Sequence, residues 1–443
     1  MPIKMGQMVG LRTLSKFVVG KRKGEQINEL NGLKHLSGGL WLTKLNHVKD
    51  STEAKEADLA NKPNLTSLRL CWEDYTIFGR PRFDLQEEEK KKSERVLECL
   101  QPHVLGIREL SSLKCIGVEF CGEVARQLKG FPSLENLSLE IMPDLEKWEF
   151  PLLNDALFPC LRKLRIWNCP KLETPSIFMP TSCCLKNLNS LTVCFPTQSL
   201  SNLTALQTLM ISHKGSILPA EIENLTILKS LKIQDCYDIP DEIGNLNALE
   251  SLRISICEKL IFLPAEGLQK LTSLNLNSFD ISYCKSLKTL PAMGRMIQEG
   301  TMMKSSCCSL VVLWIQCCHS LTSVSEGLAY LSSLQTLSIG GCDELELKRE
   351  DFQHLTCLRD LRLAYLPKLI SVPDVQNLTA LQSLSFKGDQ NLRILPEGIQ
   401  QHLTSLQSLQ VHECHPDLHK RLEKNKGVDW PKISHIPKID IRP

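Results

Sequence analysis

Leucines recur along this chain in the order L-x-x-L-x-L-x-x-C, with polar residues filling most of the intervening positions. The phrase reads LRKLRIWNC (Leu161 to Cys169), LKSLKIQDC (Leu228 to Cys236), LESLRISIC (Leu249 to Cys257), LQTLSIGGC (Leu334 to Cys342) and LQSLQVHEC (Leu406 to Cys414). With Ile, Val or Phe allowed for one leucine, and any residue at the last position, copies begin at Leu65, Leu134, Leu161, Leu188, Leu206, Leu228, Leu249, Leu276, Leu310, Leu334, Leu358, Leu381 and Leu406. The fourth and sixth positions follow the period of two that a strand requires, so both face inward. Between the copies run phrases such as LPAEIENLTILKSL and IPDEIGNLNALESL. There proline ends the strand side, a short polar or helical turn returns the chain, and the next leucine starts again. From Leu134 to Leu406 the spacing averages about 25 residues per copy.

A repeat of that length and phrase predicts a leucine-rich-repeat solenoid of the α/β class. Each copy lays its strand about 4.8 Å from the last, giving a curved horseshoe with a parallel sheet on the concave face and an irregular or short-helical convex side. Residues 1–72 carry N-terminal repeats that begin mid-repeat. Residues 73–103 form a charged loop-helix insertion, in which Gln86 to Leu100 reads as an amphipathic helix with Val96, Leu97 and Leu100 toward the body. Residues 104–414 hold the main array. Within it, either Leu105 with Ile107 or Ile116 with Val118 is the inward pair of the stretch 102–120. A loop over 292–308 lengthens the interval from Leu276 to Leu310 to 34 residues. Residues 415–443 read as a polar cap and tail.

Charge and cysteine usage narrow the setting. The net charge is +2, from 52 basic against 50 acidic residues, which argues against a strongly cationic nucleic-acid or membrane-surface protein. No apolar stretch approaches the roughly 18–20 residues needed to span a bilayer, and the first residues lack the pattern of a signal peptide. Nineteen cysteines are present. Cys169, Cys236, Cys257, Cys284, Cys318, Cys342 and Cys414 all take the last motif position, where a small side chain with a weak donor can satisfy backbone at the bend. An odd total without a secretory signal predicts reduced thiols and a cytoplasmic or nuclear location. The five Asn-Leu-Ser/Thr triplets read as part of the repeat phrase rather than as glycosylation sites.

Catalytic motifs are absent: the chain has no Gly-x-x-x-x-Gly-Lys-Ser/Thr loop, no Gly-x-Ser-x-Gly elbow and no His-Glu-x-x-His helix. No enzyme activity, cofactor or metal is expected. The best metal candidates are His412, Cys414, His415 and His419, but an outward His412 and an inward Cys414 oppose convergence. The informative residues lie at the fifth, seventh and eighth motif positions. They are Arg69, Trp72, Arg165, Trp167, Lys232, Arg253, Tyr283, Trp314, Arg362 and Tyr365. A single tryptophan on a sheet surface can simply cover its neighbours' aliphatic stems. Several Trp, Tyr and Arg residues on one face instead match the composition of protein-binding hot spots.

Non-repeat phrases add a resemblance. Phe17 to Trp72, VLECLQPH (Val96 to His103), FPSLENLSLEIMPDLEKW (Phe131 to Trp148) and GVDWPKISHIPKIDI (Gly427 to Ile441) are similar, in this order, to the leucine-rich-repeat region of plant intracellular nucleotide-binding immune receptors of the coiled-coil class. The resemblance implies that the repeats sense a pathogen effector or a guarded host protein. It also implies that they pack on a nucleotide-binding module and restrain it in its ADP state. That module, with its ADP or ATP, is not in this chain. Two departures accompany the likeness. MPIKMGQMVGLRTL resembles a return path without its own strand, and LQPH passes almost at once to LKCIGVEF, where the family has further repeats. Both imply a truncated or partial product, and a freestanding decoy or a non-functional remnant is the alternative expectation.

Overall fold

The structure, a computed structural model, describes residues 3–62, 64–72, 87–100, 106–108, 115–116, 135–148, 158–173, 185–194, 200, 203–293 and 308–443. The chain divides into two compact units, Met1–His213 and Lys214–Pro443.

The first unit contributes strands β1 (Lys16–Val18), β2 (Gly38–Thr43), β3 (Leu65–Cys71), β4 (Gly106–Arg108), β5 (Cys115–Ile116), β6 (Asn136–Glu140), β7 (Lys147–Trp148), β8 (Lys163–Trp167), β9 (Ser190–Val193) and the start of β10 (Thr208–Ile217). All but β5 and β7 join one parallel sheet in chain order, while those two pair with each other. Ile107 aligns with Leu70 on one side and Leu139 on the other. Of the two alternatives within 102–120, the segment around Ile107 therefore enters the main sheet. The insertion's helix spans Glu87–Leu100, with Val96, Leu97 and Leu100 buried, and it packs near the helix Ser51–Glu56. That shorter helix starts where Asp50 accepts hydrogen bonds from the Thr52 and Glu53 N–H groups, both at 3.0 Å. Residues 73–86 of the insertion, and 294–307 of the later loop, lie outside the described residues.

In the second unit, β11 (Ser230–Asp238), β12 (Ser251–Ser255), β13 (Ser278–Ser282), β14 (Val312–Gln316), β15 (Thr336–Gly340), β16 (Asp360–Ala364), β17 (Ser383–Lys387), β18 (Ser408–His412) and β19 (Lys438–Arg442) pair in parallel, each with the next. The fourth-position column runs Leu231, Leu252, Phe279, Leu313, Leu337, Leu361, Leu384 and Leu409 without a register shift, and every member is buried. Full burial of one such side chain contributes about 1.5–3 kcal/mol, so the stacked columns carry the fold. The segment 415–443 adds more than polar cover. After the short helices Pro416–Arg421 and Trp430–Ile433, it supplies β19, which extends the sheet beside β18. On the return side Pro219, Pro240 and Pro264 stand just before a turn or helix in extended backbone, as a ring that fixes φ and lacks a donor permits. Gly267 N–H donates to Asp241 Oδ1 at 2.8 Å, an approach that a Cβ on Gly267 would obstruct.

In most repeats the strand ends at the seventh motif position. At the eighth, Ile141, Asn168, Asp235, Ile256, Tyr283, Cys317, Tyr365 and Glu413 are left-handed, as are Gly341 and Gly388. A left-handed non-glycine residue costs roughly 1–2 kcal/mol. Here the cost is offset by a bond to the next repeat: Tyr283 N–H donates to Gln316 O at 2.8 Å, Cys317 N–H to Gly340 O at 2.8 Å and Tyr365 N–H to Lys387 O at 2.7 Å. The turn then aims the ninth residue inward. Cys257, Cys318, Cys342 and Cys414 donate Sγ–H to the carbonyl two residues back, at 3.4, 3.6, 3.5 and 3.3 Å. Burial pushes the Cys342 thiol up to about 12 and the Cys414 thiol up to about 11. The described cysteines form no disulfide.

Candidate partner-binding face

Outward residues at the fifth and seventh positions line one side of each sheet. In the first unit Lys16, Trp41 and Arg69 align across β1, β2 and β3. The Lys16 ammonium lies 4.8 Å from the Trp41 ring centre and the Arg69 guanidinium 5.7 Å from it. Each such contact is worth about 0.5–1 kcal/mol at an exposed site. Trp41 is a face residue absent from the expected set. GGLWLTKL departs from the leucine phrase, yet inward Leu40 and Leu42 already place the intervening indole outward. Further along, β6 and β8 bring together Ser138, Glu140, Arg165 and Trp167. Arg165 Nε meets the Glu140 carboxylate at 3.2 Å while its guanidinium lies 5.7 Å from the Trp167 ring centre. Ser138 Oγ donates to Glu140 Oε1 at 2.8 Å.

In the second unit the fifth-position column includes Lys232, Arg253, Asp280, Trp314, Ser338 and Arg362. Arg253 Nε approaches Asp280 Oδ2 at 3.3 Å. Arg362 pairs with Asp360 of its own strand, at 2.6 Å and 3.1 Å. At the far end His412 Nε2 lies 3.2 Å from Asp440 Oδ2, and Arg442 beside Asp440 holds its carboxyl below the usual range. The Arg362–Asp360 pair is solvent-facing and worth about 0–1 kcal/mol, so it shapes the face more than it stabilises it.

The expected residues divide by position. Arg69, Arg165, Lys232, Arg253, Trp314 and Arg362 at the fifth place, with Trp167 at the seventh, stand on the outward side of their strands. Tyr283 and Tyr365 are exposed but sit one residue past β13 and β16 in left-handed backbone, at the rim of the sheet. Tyr365 is also a strut within the chain. Its hydroxyl donates to Glu413 Oε2 at 3.2 Å, and Lys387 lies 5.7 Å from its ring centre. Trp72 is a correction: it is buried, not on the outward face. Its backbone is not among the left-handed ones, so the alternation of β3 runs on and the indole follows Leu68 and Leu70 inward. The histidines near the end do not converge. Cys414 bonds to the His412 carbonyl, His415 Nδ1 accepts from Asp417 N–H, and no group of three or more metal-ligating side chains exists among the described residues.

A stack of parallel strands with buried leucine columns and an outward polar-aromatic face defines a leucine-rich-repeat protein. The family described as R13L1/DRL21 LRRs matches residues 27–169. A putative disease resistance protein RGA1 of Solanum bulbocastanum is 33% identical over 270 residues, covering 52% of this chain and 27% of the relative. The putative disease resistance protein At3g14460 of Arabidopsis thaliana is 30% identical over 217 residues, covering 37% and 15%. Within that class, the chain is similar over part of its length to plant disease resistance proteins. It spans about a quarter or less of the length of these relatives. Among solved structures, the TLR13–ssRNA13 complex superposes with a TM-score of 0.54 at 18% identity, covering 98% of this chain and 65% of that one. At that identity the likeness is one of fold alone. No described helix is long and apolar enough to cross a membrane.

Proposed function

We propose that this chain is a non-enzymatic recognition module of plant defence whose outward sheet face binds a pathogen effector or a host protein altered by one. The observation that carries this reading is the outward side of each unit's strands: Arg69, Arg165 and Trp167 in the first unit, and Arg253 and Trp314 in the second, are of the residue types that dominate protein-binding hot spots. The disease-resistance relatives support the setting. In the longer protein that the relatives suggest, the repeats also rest against a nucleotide-binding module in the cytoplasm or nucleus and hold it in its ADP form. A ligand then shifts that resting state only by its differential affinity for the two forms.

The test is a two-hybrid screen against pathogen effectors, followed by titration of any hit with purified wild type, Trp167→Ala and Trp314→Ala. A loss of about tenfold or more in affinity, with an unchanged circular dichroism spectrum, is expected for at least one variant. Equal affinity in all three proteins refutes the choice of face. The switch part is tested separately, by sequencing the transcript upstream of Met1 for a frame encoding a Gly-x-x-x-x-Gly-Lys-Ser/Thr loop.

A further inference from the structure

Four outward aromatic rings along the sheets and their rims already carry a cation. Trp41, Trp167, Tyr237 and Tyr365 each have a lysine or arginine of this chain within 5.7 Å of the ring centre. Trp314 and Tyr283 have none among the described residues, although they are 43% and 53% exposed. Directly beside Trp314, in register, stands Asp280, only 8% exposed. Its Oδ2 faces Arg253, but its Oδ1 is buried without a hydrogen-bond partner. Two residues on, Ser282 Oγ is also buried and unpartnered. Residues two apart on a strand share a face. One strand therefore carries two unsatisfied oxygens on one face, with Asp280 beside the uncovered Trp314 indole and Ser282 two residues on, beside Gln316.

We infer that Asp280, Ser282 and Trp314, with Tyr283 at the rim, receive a lysine or arginine side chain of the partner protein. An ammonium or guanidinium brings three or five N–H donors for these oxygens, and its charge suits both the carboxylate and the indole face. An acidic or purely apolar side chain leaves the two oxygens unmet. The nearest competitor is Arg253, which occupies the other carboxylate oxygen and repels an incoming cation. This inference rests on the reading of the face as partner-binding, and adds the chemistry of the residue it anchors.

The test uses the whole chain labelled with 5-fluorotryptophan, with the Trp314 fluorine signal assigned through Trp314→Phe. The probes are N-acetyl-arginine methylamide and N-acetyl-lysine methylamide, with the neutral N-acetyl-norleucine methylamide as control. A saturable shift of the Trp314 signal with the cationic probes is expected. It weakens about tenfold in Asp280→Asn and strengthens in Arg253→Gln. Ser282→Ala provides a second weakening variant, and unchanged signals of the other tryptophans show that each variant is folded. No saturable shift, an equal shift with norleucine, or an undiminished response in both Asp280→Asn and Ser282→Ala overturns the inference. If the titration fails while Trp314→Ala still lowers effector affinity, the cation site falls and the binding face stands.

Discussion

Asp389 takes the ninth motif position, where most repeats place a cysteine, and it is wholly buried. Its Oδ1 accepts the Leu366 N–H at 2.8 Å, while Oδ2 is buried without a hydrogen-bond partner. Burial pushes this carboxyl up to about 6 from an ordinary 3.8. A carboxyl that holds its proton more tightly when folded contributes stability fully present below pH of about 4. That contribution is lost as pH rises through about 6. Between 3.8 and about 6, at about 1.36 kcal/mol per pH unit, the charged group costs about 3 kcal/mol at neutral pH. Asp389→Asn keeps the acceptor for Leu366 and removes the charge, and asparagine suits this repeat position. The variant is expected to exceed wild type in stability by up to about 3 kcal/mol at pH about 7.5, with the gap closing toward pH about 4. Urea unfolding followed by circular dichroism across that range measures it. A gap that does not grow with pH, or an asparagine variant less stable at neutral pH, refutes the reasoning.

Three other outcomes follow from particular contacts. Gly388 has φ +69 and its missing Cβ would sit 2.3 Å from the Tyr365 ring, so Gly388→Ala should cost upward of about 1 kcal/mol. Part of that loss should return in a Tyr365→Ala background, and additive losses in the double variant would contradict the packing. Trp72→Ala should lower stability by about 3–5 kcal/mol as a core truncation, and acrylamide should quench Trp314 but spare Trp72. Efficient quenching at both sites, checked with single-tryptophan variants, would contradict the burial. Maleimide should modify exposed Cys160 and Cys357 quickly while buried Cys257, Cys284 and Cys342 react only on unfolding. Mass spectrometry that finds Cys342 labelled as fast as Cys357 would show the ninth-position thiols to be open.

Alternation along single strands was legible without the structure. Leu337 with Ile339 and Leu361 with Leu363 face inward, while Arg165, Trp314 and Arg362 face outward, because a period of two is a property of the extended chain and needs no neighbour. The helix around Val96, Leu97 and Leu100 was legible from its own local period, and the inward cysteines from their fixed place in the repeated phrase. Trp72 was misplaced by assigning the eighth position to the outward side in every repeat. That assignment holds only where a left-handed turn interrupts the alternation, and the turn is stabilised by a carbonyl of the next repeat, many residues away. Lateral register decided the rest: Lys16 and Arg69 against Trp41, Asp280 against Trp314, and β19 against β18. The sequence by itself thus determined the repeat, its inward columns and the residues offered outward. Only the tertiary structure decided which rings are covered, which oxygens are left unmet and which carboxyl is forced toward its neutral form, because each depends on the adjacent strand, whose alignment no single repeat contains.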